Sequence, residues 1–79
     1  MQVRVLLFAS YADAFGADSV VIDAHDGATA GDVLALVQGR ITTPVPPHPM
    51  MAINAVYADR SAPIREGDEV AVIPPVAGG

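Results

Sequence analysis

The sequence contains no cysteine, and none of its four basic residues is a lysine. Without cysteine there is neither a disulfide nor a thiolate metal site, so an apolar core has to hold the fold. Without lysine there is no ε-amine for a Schiff base or for an internal isopeptide bond. The lack of cysteine is also compatible with a reducing compartment.

Positive charge is scarce as well, because nine acidic residues outnumber four arginines and give a net charge of −5. This balance argues against nucleic acid as a partner and favours a protein partner with a basic surface. No apolar run approaches the ~20 residues of a membrane span. The N-terminal segment lacks the basic leader and the cleavage site of a secretory signal. We therefore expect a cytoplasmic protein with no membrane partner.

Apolar residues are plentiful, at 52% of the 79 residues. A chain of this length forms one domain and buries about 60–65% of the surface that its unfolded form exposes. We expect a single domain over residues 1–79, in which residues 74–79 form a flexible C-terminal tail.

Apolar alternation at the start of the chain predicts a central first strand over Gln2–Ala9, which places Leu6 and Phe8 on the same face. A short helical turn is expected next, and it should end at Gly16. The β-branched run that follows predicts a second strand over Ser19–Asp23.

Thr29 and Asp32 have the spacing of a capping box, with Asp in place of the usual Glu, and predict the start of a helix. Apolar residues then recur at the spacing of one buried helical stripe: Ala30, Val33, Leu34, Val37 and Ile41. Gly39 is the expected end of this helix. We interpret the stripe as part of the core.

Residues 42–50 contain four prolines and predict an extended surface connection, either a stiff loop or a docking segment for a partner domain. Beyond this connection, the pattern predicts a third strand over Met51–Asn54 and a brief strand at Val56–Tyr57. A charged turn then precedes a last strand over Val70–Ile73, which two prolines end.

This order of elements predicts an α+β fold of the ubiquitin-like β-grasp type. We expect a mixed sheet of four to five strands, one main helix packed on one face of the sheet, and an extended C-terminal tail. The first and last strands should lie side by side at the centre. Leu6, Phe8 and Ile73 then share the face away from the helix. There they predict an exposed apolar patch for partner binding, unless the chain's own loops cover it.

The sequence shows no catalytic constellation. His25 and His48 are far apart and lack companions at metal-ligand spacing, so we expect no metal site and a solvated loop position for each. The serines have no evident neighbouring base. The acidic residues Glu66, Asp68 and Glu69 could bind a cation, but a solvated turn is the simpler interpretation.

The C-terminal segment Pro74-Pro75-Val76-Ala77-Gly78-Gly79 is the most informative part of the chain. Two prolines hold a stem extended, and glycines without a Cβ can enter a narrow site on another protein. A terminal carboxylate becomes electrophilic when it is joined to the phosphate of ATP as an acyl adenylate, which a sulfur nucleophile can then displace. The segment therefore favours carboxylate activation at Gly79, and the alternative is a frayed terminus without a role.

Over essentially its whole length the sequence resembles the small-subunit family of molybdopterin synthase, the MoaD-type relatives of ubiquitin. The matching segments are the opening strand at 3–9, the helix start at 29–34 and the run at 52–54. The most specific match is a Gly-Asp-Glu-Val turn at 67–70 followed by a Pro-Pro-Val-x-Gly-Gly end. The sequence departs from the family at Val72 and Ile73, where aromatic residues are common, and in its shortened, proline-rich connection.

The resemblance implies that the chain carries sulfur as a thiocarboxylate on Gly79 and has neither catalytic side chains nor a bound cofactor of its own. A ubiquitin-activating-like enzyme would consume ATP to adenylate Gly79. A cysteine desulfurase or a rhodanese-like protein would supply the sulfur. The tail residues Pro74, Pro75, Val76, Ala77 and Gly78 would then enter the molybdopterin synthase large subunit, in a heterotetramer. There the sulfur would pass to a cyclic pyranopterin precursor of the molybdenum cofactor.

Three alternatives stay open. A related carrier could deliver sulfur to thiazole or to cysteine synthesis. The chain could instead be a non-catalytic β-grasp interaction module whose terminal glycines are incidental. It could also be a modifier that is conjugated to lysines of other proteins.

Overall fold

The computed structural model describes residues 1–75, and residues 76–79 lie outside the described part. Its elements follow in the order β1 (Gln2–Leu7), α1 (Ala9–Phe15), β2 (Ser19–Asp23), α2 (Ala30–Gln38), β3 (Met50–Ile53), β4 (Val56–Ala58) and β5 (Glu69–Ile73). This order agrees with the predicted one. The predicted strand ends differ from the observed ones by no more than two residues.

The described strands form one five-stranded sheet in the order β2-β1-β5-β3-β4. β1 and β5 pair in parallel at the centre, and all other neighbours are antiparallel. The first and last strands therefore lie side by side, as the sequence predicts, and the mixed sheet and the α+β class are confirmed.

The core lies between one face of the sheet and the helices. Val5 of β1 and Val72 of β5 are fully buried there, and α2 contributes the four buried residues Ala30, Val33, Leu34 and Val37. The last member of the predicted stripe, Ile41, lies beyond the end of α2, where it is half-buried against the core. The connection after the helix thus continues the apolar packing.

The predicted capping box at the start of α2 is confirmed. The backbone N–H of Asp32 donates to Thr29 Oγ1 at 3.2 Å, and the backbone N–H of Thr29 donates to Asp32 Oδ2 at 3.0 Å. The bond from the Thr29 backbone lowers the pKa of the Asp32 carboxyl below its ordinary value. Gly31 lets the chain around Arg60 approach closely, because a Cβ on Gly31 would lie 3.1 Å from both the Cβ and the carbonyl oxygen of Arg60.

α1 is a seven-residue helix, longer than the predicted turn, and it fully buries Tyr11. The Tyr11 hydroxyl donates to the carbonyl oxygen of Pro46 at 2.6 Å and accepts from Gln38 Nε2 at 3.0 Å. Arg60 also donates to the same connection, at the carbonyl oxygen of Pro47 (3.1 Å). These bonds fasten the proline-rich connection to the body of the fold, as expected of a stiff loop.

Candidate functional site

The face of the sheet opposite the helices carries an apolar row. The alternation that buries Val5 turns Leu6 to this side, and the register places Leu6 beside Ala71. Ala71 pairs in turn with Ala52 of β3, which pairs with Tyr57 of β4. This side of the sheet, which we call the open face, also carries Arg4, Phe8, Met50, Glu69 and Ile73.

A groove with a volume of about 280 Å³ runs along the open face. Its lining comprises Leu6, Phe8, Ala52, Ala55, Tyr57, Glu69, Ala71 and Ile73. The three residues predicted for partner binding are all present, so the structure brings Leu6, Phe8 and Ile73 together on one surface. Their role in binding a partner stays a prediction.

Large apolar side chains of the open face are well exposed. The exposed fraction is 45% for Phe8, 56% for Met50 and 68% for Tyr57. The sequence pattern does not identify Met50 and Tyr57, because the predicted third strand begins after Met50 and the predicted fourth strand is too short for alternation to assign a face. A contiguous apolar surface of this kind is typical of an interaction site.

β5 connects the open face to the predicted tail. Its last residue, Ile73, pairs with Met50 and lines the groove. Pro74 is then buried and Pro75 is exposed. The rest of the predicted tail, Val76, Ala77, Gly78 and Gly79, lies outside the described residues. The open face thus directly precedes the predicted reactive end along the chain.

A polar cluster holds the backbone around Glu69. Asn54 and Ala55, which join β3 to β4, have φ angles of 51° and 68° and form a tight type I′ hairpin turn. Asn54 Nδ2 donates to Asp68 Oδ1 at 2.9 Å, and Asn54 Oδ1 accepts from the backbone N–H of Glu69 at 3.0 Å. Hydrogen bonds from the backbone N–H of Arg65 and from Asn54 lower the pKa of the Asp68 carboxyl. The acidic turn is therefore an ordered part of the fold.

The histidines lie on the surface of the described chain. His25 Nε2 is 3.9 Å from Asp32 Oδ2, and His48 is exposed in the proline-rich connection. Within residues 1–75, no three side chains of His, Cys, Asp or Glu are placed to hold a metal ion. No helix in the same range has the length and apolar character to cross a membrane.

The model of the ThiS family matches residues 5–79, a range that includes most of the open face and the terminal Gly-Gly. The chain belongs to the ThiS family. The match spans β5 and the tail, so most of the open face and the predicted reactive end fall within the same relationship.

Two relatives of the chain have names that indicate different roles. The molybdopterin synthase sulfur carrier subunit of Chlamydomonas reinhardtii is 33% identical over 91 aligned positions, which cover 100% of both chains. The small archaeal modifier protein 3 of Haloferax volcanii is 34% identical over 92 positions, again with 100% of both chains covered. The resemblance to molybdopterin synthase small subunits is therefore confirmed, and a modifier protein shares a comparable fraction of identical residues with the chain.

Solved structures agree on the fold. SAMP1 from Haloferax volcanii matches with a TM-score of 0.83 and 28% identity over 100% of both chains. A chain from the complex of subunits 1 and 2 of the molybdopterin-converting factor of Helicobacter pylori matches with a TM-score of 0.63 over 100% of both chains. At 23% identity, the second likeness shows the fold alone. The predicted ubiquitin-like β-grasp fold is confirmed.

Proposed function

We propose that this chain is the sulfur carrier subunit of a molybdopterin synthase. The observation that carries the proposal is its membership of the ThiS family through residue 79, with 33% identity to a molybdopterin synthase sulfur carrier subunit over the whole of both chains. The open face supports the proposal, because a carrier has to dock on other proteins while it presents its C-terminus to them.

In the proposed cycle, a ubiquitin-activating-like enzyme in the cytoplasm joins the carboxylate of Gly79 to the α-phosphate of ATP and releases pyrophosphate. The persulfide of a cysteine desulfurase or a rhodanese-like protein displaces AMP to form an acyl disulfide, and a thiol then reduces its S–S bond and leaves a thiocarboxylate on Gly79. In the large subunit, the thiocarboxylate sulfur attacks an electrophilic carbon of a cyclic pyranopterin and displaces an oxygen substituent from that carbon. Hydrolysis of the resulting thioester leaves the sulfur on the pterin and restores the carboxylate.

The side chains of this protein have positioning roles in that cycle. Pro74 and Pro75 restrict the stem, so less conformational entropy is lost when the tail enters a partner's site. Gly78 and Gly79 lack the Cβ that would clash in a narrow channel. Leu6, Phe8 and Ile73 hold the body of the protein against the large subunit. Acid and base groups for the transfer belong to that subunit.

Intact-mass spectrometry tests the proposal directly. The protein is incubated with the adenylating enzyme, ATP and a sulfur donor, and then with the large subunit and the cyclic pterin. We expect a mass increase equal to the replacement of one oxygen by sulfur, located on the C-terminal peptide, and its loss after the second step. Sulfur that never reaches this peptide, or that the pterin does not discharge, would contradict the proposal.

The position of the terminal carboxylate provides a second test. Deletion of Gly79, or addition of one residue after it, moves the carboxylate away from the position that the adenylation site requires. Both variants should keep the thermal stability of the wild type and lose sulfur transfer. Retention of synthase activity in either variant would exclude Gly79 as the attachment point and would favour a non-catalytic interaction module.

Conjugation to proteins is a second candidate function, favoured by the 34% identity to a small archaeal modifier protein over the whole of both chains. The same activated carboxylate would then form an amide with a lysine of a target protein. Digestion of cell extract after activation distinguishes the two functions. Lysine residues that carry the terminal glycines of this chain indicate conjugation, whereas discharge to the pterin indicates sulfur transfer.

Other sulfur-accepting pathways are distinguished by the partner that the chain retains. Stable co-purification with a pterin-binding large subunit supports the molybdopterin assignment. Co-purification with a thiazole or cysteine synthase instead would assign the chain to one of those pathways, with the same chemistry at Gly79.

A further inference from the structure

The groove on the open face combines apolar walls with one carboxylate. Among the residues that line it in the described part of the chain, Glu69 alone carries a formal charge. Its side chain is 44% exposed and therefore accessible from solvent. An apolar groove with a single carboxylate suits a ligand group with an apolar stem and a cationic head.

The backbone of Glu69 is held firmly. Its N–H donates to Asn54 Oδ1 at 3.0 Å, and its carbonyl oxygen accepts from the backbone N–H of Asn54 at 2.8 Å. The neighbouring Asp68 is fixed in turn by Asn54 and by the backbone N–H of Arg65. These hydrogen bonds tie β5 to the turn that follows β3, so the backbone that carries the Glu69 carboxylate is preorganised.

The ion pair that Glu69 forms within the chain is weak. Arg4 is its register neighbour on β1, and Arg4 Nε lies 3.6 Å from Glu69 Oε2. That distance is longer than a hydrogen bond, and the Arg4 side chain is 65% exposed. Exposed ion pairs of this kind add little to stability because water and salt screen them. Glu69 is therefore free to exchange Arg4 for a cation of another protein.

We propose that Glu69 is a specificity-determining residue that accepts a lysine or arginine side chain of the molybdopterin synthase large subunit. The methylene stem of that side chain lies in the groove beside Ala52 and Ala71, and its charged head displaces Arg4. The net charge of −5 favours such a basic partner surface and opposes a second copy of the chain. The inference rests on the proposed function, which supplies the large subunit as the docking protein.

Two matched variants test this role by calorimetry against the large subunit. Glu69→Gln and Arg4→Gln remove the same internal ion pair, so their effects on thermal stability should be similar. Their effects on binding should differ, because only Glu69→Gln removes the acceptor. We expect Glu69→Gln to raise Kd about tenfold and to flatten its salt dependence. Arg4→Gln should not raise Kd, since it leaves Glu69 free.

The inference is overturned if Glu69→Gln binds like the wild type, or if both variants weaken binding equally. It is also overturned if the wild type forms a dimer in sedimentation that Glu69→Gln abolishes, because the cation then comes from an arginine of a second copy. Thiocarboxylate formation on Gly79 is measured in parallel. If Gly79 is loaded but the two variants bind the large subunit alike, only the inference is rejected. If Gly79 is not loaded, the proposed function is rejected, and the inference with it.

Discussion

The face of the sheet that the helices cover, which we call the covered face, is made from the same strands as the open face. The covered face is buried and the open face is exposed to solvent. Val5 and Val70 face the helices and are fully buried, whereas their sequence neighbours Leu6 and Ala71 are only half-buried. Both faces are apolar near the centre of the sheet, so composition does not separate them. The difference arises because the helices of this small domain cover one side only.

An uncovered apolar surface has a cost in solubility and aggregation, and small monomers rarely keep one without a use. The covered face therefore provides the stability of the fold, and we attribute partner binding to the open face. Substitutions that act on one face and have a matched control on the other can test this division of roles.

The largest effect is expected from a charge on the covered face. Val5→Asp places a carboxylate where the exposed fraction is 0%, at a cost of several kcal/mol against a total stability of about 5–15 kcal/mol. The variant should be unfolded by circular dichroism. The neighbouring residue Leu6 provides the control. Leu6→Asp should unfold cooperatively with a Tm close to that of the wild type. Equal loss of structure in both variants would show that the open face also belongs to the core.

The second-largest effect is expected on binding to the large subunit. Phe8→Asp should weaken binding to the large subunit at least about tenfold in calorimetry, because aromatic anchors often dominate an interface. Its thermal stability should change little. Leu36→Asp is the matched control, since Leu36 on α2 is 43% exposed and Phe8 is 45% exposed. If both variants bind equally well, or equally poorly, the open face has no special role.

A smaller loss of stability is expected when the hydroxyl of Tyr11 is removed. Tyr11→Phe leaves the carbonyl oxygen of Pro46 and the amide of Gln38 without that partner, which should cost about 1–2 kcal/mol in urea unfolding. Tyr57→Phe on the open face is the control. The Tyr57 side chain is 68% exposed, so the same change should leave stability unaltered. A neutral Tyr11→Phe would mean that the hydrogen bonds of the Tyr11 hydroxyl do not help to hold the proline-rich connection.

The smallest expected effect is a pH-dependent change in Tm, and it comes from Asp68 in the turn that supports Glu69. The pKa of Asp68 is lowered from 3.8 by the backbone N–H of Arg65 and by Asn54. A carboxyl whose pKa is lower in the folded state stabilises the fold above pH 3.8, and this contribution is lost as the pH falls through the lower, folded value. Asp68→Ala should therefore lower Tm slightly at pH 7. The difference from the wild type should shrink in acid, and a constant difference would exclude the carboxylate as its cause.

Much of the fold was predictable, because its signals are local. The capping box joins Thr29 to Asp32, which are only three residues apart, and strand alternation assigns the faces of Leu6 and Ile73 without knowledge of any partner strand. The burial of Tyr11 was not predictable in this way. Its hydroxyl is paired with Pro46 and Gln38, which lie 35 and 27 residues away in the chain.

The candidate site was also predictable only in part. The composition of the tail is given by the sequence, and the role predicted for Gly79 rests on the sequence and not on the tertiary structure. The apolar patch was only partly predictable, since Met50 and Tyr57 join it through the pairing of β3 with β5 and with β4. The register that places Arg4 beside Glu69 was likewise outside the reach of sequence patterns.

The sequence by itself determined which residues alternate, where the main helix begins, and that the chain ends in Pro-Pro-Val-Ala-Gly-Gly. Only the tertiary structure decided which face of the sheet the helices cover, and that, among the described residues, Glu69 supplies the one carboxylate in the apolar groove on the other face. The physical reason is the range of the interactions. Capping and alternation act between near neighbours, whereas the pairing of β1 with β5 joins segments more than sixty residues apart along the chain.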